Sequence, residues 1–168
     1  MMRFLATEQR ELAERIGEML VARAETVAVA ESSTGGLISA ALLAVAGASR
    51  YYAGGGVLYT LDSRVAMAGV PREDYADYRG TTADLLVSLA EATRRRLDAS
   101  WCVGESGLAG PTGSRFGAPA GRTTVAVAGP RSRVQVFETG SADREANMVA
   151  FTTSALRFLL ESLTETPR

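Results

Sequence analysis

Residues 31–36, Glu-Ser-Ser-Thr-Gly-Gly, follow directly on a run of β-branched and small residues, TVAVA at 26–30. A strand that stops at a Ser/Thr/Gly turn opening a helix aims side-chain oxygens and backbone N–H groups at one point. That geometry suits holding an anion or presenting a serine nucleophile. A serine needs a base, yet all 18 cationic side chains are Arg, with no Lys and no His. Two further segments, Tyr59–Arg64 and Ser106–Gly121, also follow strand-like runs, and the second is rich in glycine. In an open α/β sheet, loops beyond the carboxyl ends of strands form the ligand crevice. Any one of these loops alone reads as a tight turn, with Ser33 or Thr34 capping a helix. Three in one chain point toward a site.

Such loops need strands and helices to hold them. Residues 8–24 put Leu12, Ile16, Met19 and Leu20 on one face, an amphipathic helix with Thr7 as N-cap. Arg23 on that stripe marks where the helix leaves the core. Thr26–Ala30 is a short buried strand. The stretch 35–46 is a helix apolar almost all round, hence buried, and stopped by Gly47. Tyr51–Tyr59 contains a second strand whose Gly54, Gly55 and Gly56 permit close approach of a backbone or ligand. Leu61–Ala68 is a short helix and Val70–Gly80 a polar connection. Thr82–Ala99 is a helix capped by Thr82, with Leu85, Leu86, Leu89, Ala92 and Leu97 on its apolar face. After a strand at Trp101–Glu105, the five glycines and two prolines of 107–121 exclude helix and regular strand. Arg122–Ala128 and Arg133–Glu138 flank Gly129-Pro130 as a hairpin. Asp143–Leu163 closes the chain as a long helix with Phe151, Ala155, Phe158, Leu159 and Leu163 inward. This order predicts a single α/β domain over 1–168. Its architecture is a three-layer α/β/α sandwich with a mixed, mostly parallel sheet and a late β-hairpin.

An apolar fraction of 46% and a charged fraction of 22% are those of a soluble globular protein. Net charge of −1 provides no field for nucleic acid or anionic lipid, so neither is expected as a partner. Arg94-Arg95-Arg96 reads as a solvated helix end. The apolar start is interrupted by Glu8, Arg10, Glu11, Glu14 and Arg15, unlike a signal peptide, and no apolar run is long enough to span a bilayer. A cytoplasmic protein is expected. Cys102, alone in an apolar run, reads as a small core residue. The apolar 35–46 helix leaves room for a homo-oligomer.

Taken together, AESSTGG (30–36) with its apolar helix, GASRYYAGGGVLY (47–59), SGLAGPTG (106–113) with a later PAG (119–121), and the Asp143-Arg144 pair resemble the CinA C-terminal domain, the nicotinamide-nucleotide amidase family. The resemblance runs in order over nearly the whole chain and is to the form found alone. It implies a three-layer α/β domain that hydrolyses the carboxamide of nicotinamide mononucleotide, a small-molecule nucleotide substrate, without metal or organic cofactor. It places the nucleophile on Ser32, beside Glu31, and puts Ser33 where a Cys is usual. Thr34, Gly35 and Gly36 match the motif, and Tyr59 matches an aromatic position. Ser106, Gly107, Ala109 and Gly110 would frame the pocket, and Arg144 would belong to the motif before the last helix.

The departures bear on mechanism. The family's lysine base falls on Arg64, and an arginine side chain cannot give up its proton in a protein. Leu61-Asp62 replaces an Asn-Glu pair, Ala118 a Lys, Ala142 a Gly, and Met148 and Val149 basic residues. Candidate replacement bases are Glu31, Tyr59, Asp62 and Glu105, with Tyr59 favoured as phenolate if Arg64 lies beside it, while Glu31 reads equally as a helix-entry or core-edge acid satisfied by backbone N–H groups. Three readings follow. One is an amidohydrolase in which Arg64 binds rather than accepts a proton. Another is an inactive relative holding a nucleotide or other anion through Arg64, Arg144, Arg50 and the Thr34–Gly36 amides. The last is an assembly module whose loops only pack.

Overall fold

The computed structural model describes residues 4–166. Its centre is β1 (Val27–Glu31), whose every residue is buried. β2 (Tyr52–Val57) and β3 (Trp101–Leu108) flank it, both parallel to it. β4 (Arg122–Ala128) and β5 (Arg133–Glu138) continue the sheet as an antiparallel hairpin, giving the order β2-β1-β3-β4-β5. Pairings therefore divide equally between parallel and antiparallel, while four of the five strands run in one direction.

Side-chain alternation divides the strands between two cores of different character. Val27, Val29, Trp101, Val103, Val125 and Val127 point to the face covered by α1 (Thr7–Arg23), α2 (Leu37–Leu43) and α5 (Arg144–Glu165). Ala28, Ala30, Cys102, Ala126 and Ala128 point to the other, where α4 (Ala83–Arg96) lays down Leu86, Leu89 and Ala90. Bulky strand residues meet several helices; small ones let a single helix come close. The expected three-layer sandwich is thus built from one period-two pattern. No helix among the described residues is long and apolar enough to cross a membrane.

Several local expectations are corrected. The N-cap of α1 is Ala6, not Thr7, and its N–H donates to the Gln9 side chain at 3.2 Å. Arg23 does not simply exit the core: its guanidinium donates to the Leu163 and Thr166 carbonyls at the end of α5. The helix expected over 35–46 is only Leu37–Leu43, because Gly36, its N-cap, takes φ 101°, a left-handed conformation outside the helix. Nor is it buried all round, since Leu43 is exposed. On α4 the inward residues are Leu86, Leu89, Ala90 and Thr93, while Leu97 is exposed. The connection after Val70 is not wholly polar, for Val70 and Tyr75 are buried in the α4-side core. Gly55 meets its close neighbour in the fold itself: a Cβ there would collide with Val29 of β1. Leu61–Ala68 forms one α-turn, α3 (Leu61–Ser63), followed by a π-turn over Arg64–Ala68. The cap at Thr82, the hairpin bounds and the buried face of α5 agree with expectation, while Asp143, expected inside the last helix, is its N-cap.

Candidate functional site

The three segments singled out in the sequence converge at the carboxyl ends of β1, β2 and β3, although the third begins inside β3, which runs past the expected Glu105 to Leu108 because Ser106, Gly107 and Leu108 pair with β4. Beneath the first loop lie two carboxylates, Glu31 closing β1 and Glu105 on β3, both fully buried. Glu105 Oε2 accepts the backbone N–H groups of Ser32 (3.2 Å) and Thr34 (3.1 Å), and Oε1 accepts the hydroxyls of Ser33 and Thr123 (2.6 Å for the latter). Glu31 accepts the Ile38 amide (3.1 Å), the Ser39 amide (3.0 Å) and the Ser39 hydroxyl (2.7 Å). Thr34 Oγ1 bridges the two acids, 2.6 Å from Glu31 and 3.1 Å from Glu105. No ion pair reaches either acid among the described residues. Hydrogen bonds to a charged group contribute about 1.5–3 kcal/mol each, so this set fixes the loop firmly.

This overturns two expectations. Glu31 and Glu105, offered as bases, already accept hydrogen bonds on both oxygens and shape the loop. The anion expected at the helix entry is also already present, as the chain's own carboxylates. The Thr34 amide serves Glu105, the Gly35 and Leu37 amides serve the Ser32 and Thr34 carbonyls, and the Ile38 and Ser39 amides serve Glu31. What remains open is specific. The hydroxyls of Ser33, Thr34 and Ser39 are engaged, but Ser32 Oγ and the Ser33 and Gly36 amides bond to no described residue.

Arg64 lies on the opposite face from the two acids. It is 3% exposed, with Nε donating to the Leu58 carbonyl at 3.2 Å and Nη2 to Ser106 Oγ at 2.9 Å. Ser106 Oγ continues to Thr81 Oγ1 (2.8 Å) and Thr81 to Tyr78 Oη (3.1 Å). Since β1 and β3 pair at Ala30–Gly104, Ser32 and Ser106 stand two residues beyond one register pair, on neighbouring strand ends. The tyrosine beside Arg64 is Tyr75, not Tyr59. Burial pushes the Tyr75 phenol up and the Arg64 guanidinium pulls it partly back, while its hydroxyl has no hydrogen-bond partner among the described residues.

Tyr59 is exposed and its hydroxyl accepts from Arg144 Nη2 at 3.3 Å. Arg144 Nη1 donates to the Gly110 carbonyl at 2.6 Å, and Asn147 Nδ2 to the Ala109 carbonyl at 2.8 Å. The start of α5 therefore anchors the Ala109–Gly110 turn. Gly107 lies so close to Thr123 of β4 that any side chain there would collide with it. Met148, at a position the resemblance gives to a basic residue, packs its methyl against Gly35. Asp62 is a surface partner of Arg72 at 2.8 Å and no base for Ser32. Arg50 precedes β2, at the opposite edge of the sheet from Ser32, and holds nothing here.

A cavity of about 710 Å³ opens beside Arg64's partner, between the 73–82 connection, the end of β3 and the 114–119 segment. Ser106 and Thr81 line it, and so does Ala118, where the resemblance places a lysine. Sequence reasoning passed over Thr81, Thr123, Ser39 and Asn147. Only strand alternation from Val125 and Val127 marked Thr123, as facing the Glu105 side.

The family model of the CinA C-terminal domain matches residues 9–163. The chain is similar to a CinA-like protein of Prochlorococcus marinus, 40% identical over 125 residues, 74% of this chain and 29% of that protein. It is similar also to a CinA-like protein of Nostoc punctiforme, 35% identical over 135 residues, 80% of this chain and 32% of that one. It thus spans about a third of the length of these relatives. Among solved structures it resembles the competence/damage inducible protein CihA from Agrobacterium tumefaciens, with TM-score 0.86, 30% identity and coverage of 97% and 99% of the two chains. A competence-damaged protein (CinA) superfamily protein from Klebsiella pneumoniae gives TM-score 0.88 at 27% identity, covering 94% and 99%.

Proposed function

This chain belongs to the family of the CinA C-terminal domain, and on that premise we propose that it is a nicotinamide-nucleotide amidohydrolase whose nucleophile is Ser32 and whose turnover is slow. The observation that carries this reading is the state of the Ser32 hydroxyl. Every other hydroxyl of the loop is tied to Glu31 or Glu105, while Ser32 Oγ bonds to no described residue at the strand end and is open to a ligand.

In the proposed reaction Ser32 Oγ attacks the carboxamide carbon, ammonia leaves, and water hydrolyses the acyl-serine to the carboxylate and restores the hydroxyl. Arg64, one hydrogen bond from Ser106 on the strand end next to that of Ser32, supplies fixed positive charge to this end of the sheet. Charge of that kind stabilises an oxyanion. The open Ser33 and Gly36 amides are the backbone donors available to the same oxygen. No described residue stands ready to take the serine proton, which passes to solvent hydroxide, and the water so formed returns a proton to the departing nitrogen. A positioned general base contributes about 10²–10⁴-fold, and the parent chain is slower than a lysine-bearing site by roughly that factor.

Conversion of nicotinamide mononucleotide to nicotinic acid mononucleotide, followed chromatographically for the parent and Arg64→Lys, tests the reading. Slow conversion by the parent and faster conversion by Arg64→Lys supports it. The doubly bonded Arg64 favours one alternative, a pocket that binds the nucleotide without turnover. A silent parent with an active Arg64→Lys selects that alternative, and silence from both rejects hydrolysis at this site.

A further inference from the structure

We infer that Tyr75 is a positioning residue for Arg64: its hydroxyl is the acceptor that steadies the guanidinium once Ser106 turns to a ligand. The inference rests on the function proposed above and adds a residue to its machinery.

Arg64 is a buried cation that no ion pair reaches among the described residues. Burying such a charge is costly unless its N–H groups are satisfied. Nε is engaged with the Leu58 carbonyl and Nη2 with Ser106 Oγ, while Nη1 bonds to no described residue. The two acceptors differ in permanence. The Leu58 carbonyl belongs to the backbone and stays in place. Ser106 Oγ lines the cavity of about 710 Å³ and also bonds Thr81, so a ligand entering there competes for it.

Tyr75 supplies the acceptor that this competition removes. It ends the turn Arg72–Tyr75, and its ring is buried in the α4-side core, edge-on to Tyr78 at 5.9 Å between centroids. Its hydroxyl is buried and bonds to no described residue. The phenol nevertheless stands close enough to Arg64 for the guanidinium to offset part of the rise that burial causes in its pKa. A buried polar atom without a partner is rare and destabilising. The packed ring cannot swing toward another group, whereas the long Arg64 side chain can move, and its N–H groups only donate. The phenol oxygen therefore accepts from Arg64. The hydroxyl destabilises the resting fold and stabilises the state in which Arg64 is at work.

Tyr75→Phe keeps the ring and deletes the hydroxyl, and two readouts separate its roles. Thermal unfolding should show Tm about 2–4 °C above the parent, because an unpaired buried hydroxyl is gone. In steady-state conversion of nicotinamide mononucleotide, kcat should fall about tenfold with KM within about twofold, since the bond forms only as Arg64 acts. In an Arg64→Lys background the same change should alter kcat by less than about twofold, because a lysine has no second arm to reach the phenol. A lower Tm in Tyr75→Phe would mean that the hydroxyl is already bonded in the resting fold, and would overturn the inference. So would an unchanged kcat, or an equal fall in the Arg64→Lys background, and each of these leaves the hydrolase reading intact. Absence of turnover from the parent overturns both.

Discussion

Replacing Glu105 by glutamine removes one charge without changing the side chain's shape, and the hydrogen bonds around it set the cost. The donors to Glu105 are of two kinds. The hydroxyls of Ser33 and Thr123 can turn and accept from a new amide NH₂, and that of Thr34 keeps its shorter bond to Glu31, whereas the backbone N–H groups of Ser32 and Thr34 can only donate. The substituted side chain therefore aims its one carbonyl oxygen at the two amides, and those bonds fall from charged to neutral strength. At about 1 kcal/mol lost per bond, the loss is about 2 kcal/mol. For a chain of this size that lowers Tm by about 4–8 °C. Glu105→Ala leaves both amides buried without an acceptor and costs about 4 kcal/mol, a large part of a typical domain's roughly 5–15 kcal/mol. Urea unfolding, with m-values compared, measures both, and ammonia release should fall in step as Ser32 loses its fixed position. If Glu105→Gln unfolds within about 0.5 kcal/mol of the parent, the charge does not hold the loop, and the account of the buried acids is wrong.

Three further outcomes are expected. The parent's ammonia release should climb about tenfold per pH unit between about pH 6 and 9, since only hydroxide takes the serine proton, whereas Arg64→Lys should bend to a plateau; parallel profiles would contradict this. Tyr59→Phe should leave turnover within about twofold of the parent, because the hydroxyl it removes touches only Arg144; its loss of activity would restore Tyr59 as the base. Burial pushes the Cys102 thiol above its ordinary value of 9.0, so the unfolded thiol ionises first and stability falls as pH rises past 9. The slope approaches about 1.4 kcal/mol per pH unit, and Cys102→Ala should lack it between about pH 9 and 10, below the 10.0 at which the buried tyrosines begin to add theirs; urea unfolding across that range reads the difference.

Much of this architecture is legible in the sequence because local chemistry and tertiary environment agree there. Thr82 caps the helix that follows it, and Gly129-Pro130 turns the hairpin with the expected bounds. Where they disagree, the sequence misleads. The apolar run from 35 to 46 suggests a long buried helix, but positive φ at both Gly35 and Gly36 delays its start, and one side faces outward. The convergence of the three loops is likewise legible, since each follows a parallel strand. The roles of their residues are not. Glu31 and Glu105 lie far apart in the chain, and nothing local says that each will meet the same threonine hydroxyl. Tyr59 is near Arg64 in sequence, yet the π-turn carries the Arg64 side chain inward to Ser106 while Tyr59 turns out to Arg144. Tyr75, which does lie beside Arg64, sits in a stretch that reads as a polar connection.

The most direct test of the central claim is ammonia release from nicotinamide mononucleotide at high protein concentration by the parent and by Ser32→Ala. The account predicts slow release by the parent and none above background from Ser32→Ala. Equal release by the two would contradict it, placing the chemistry on some group other than the one hydroxyl that the loop leaves unbound.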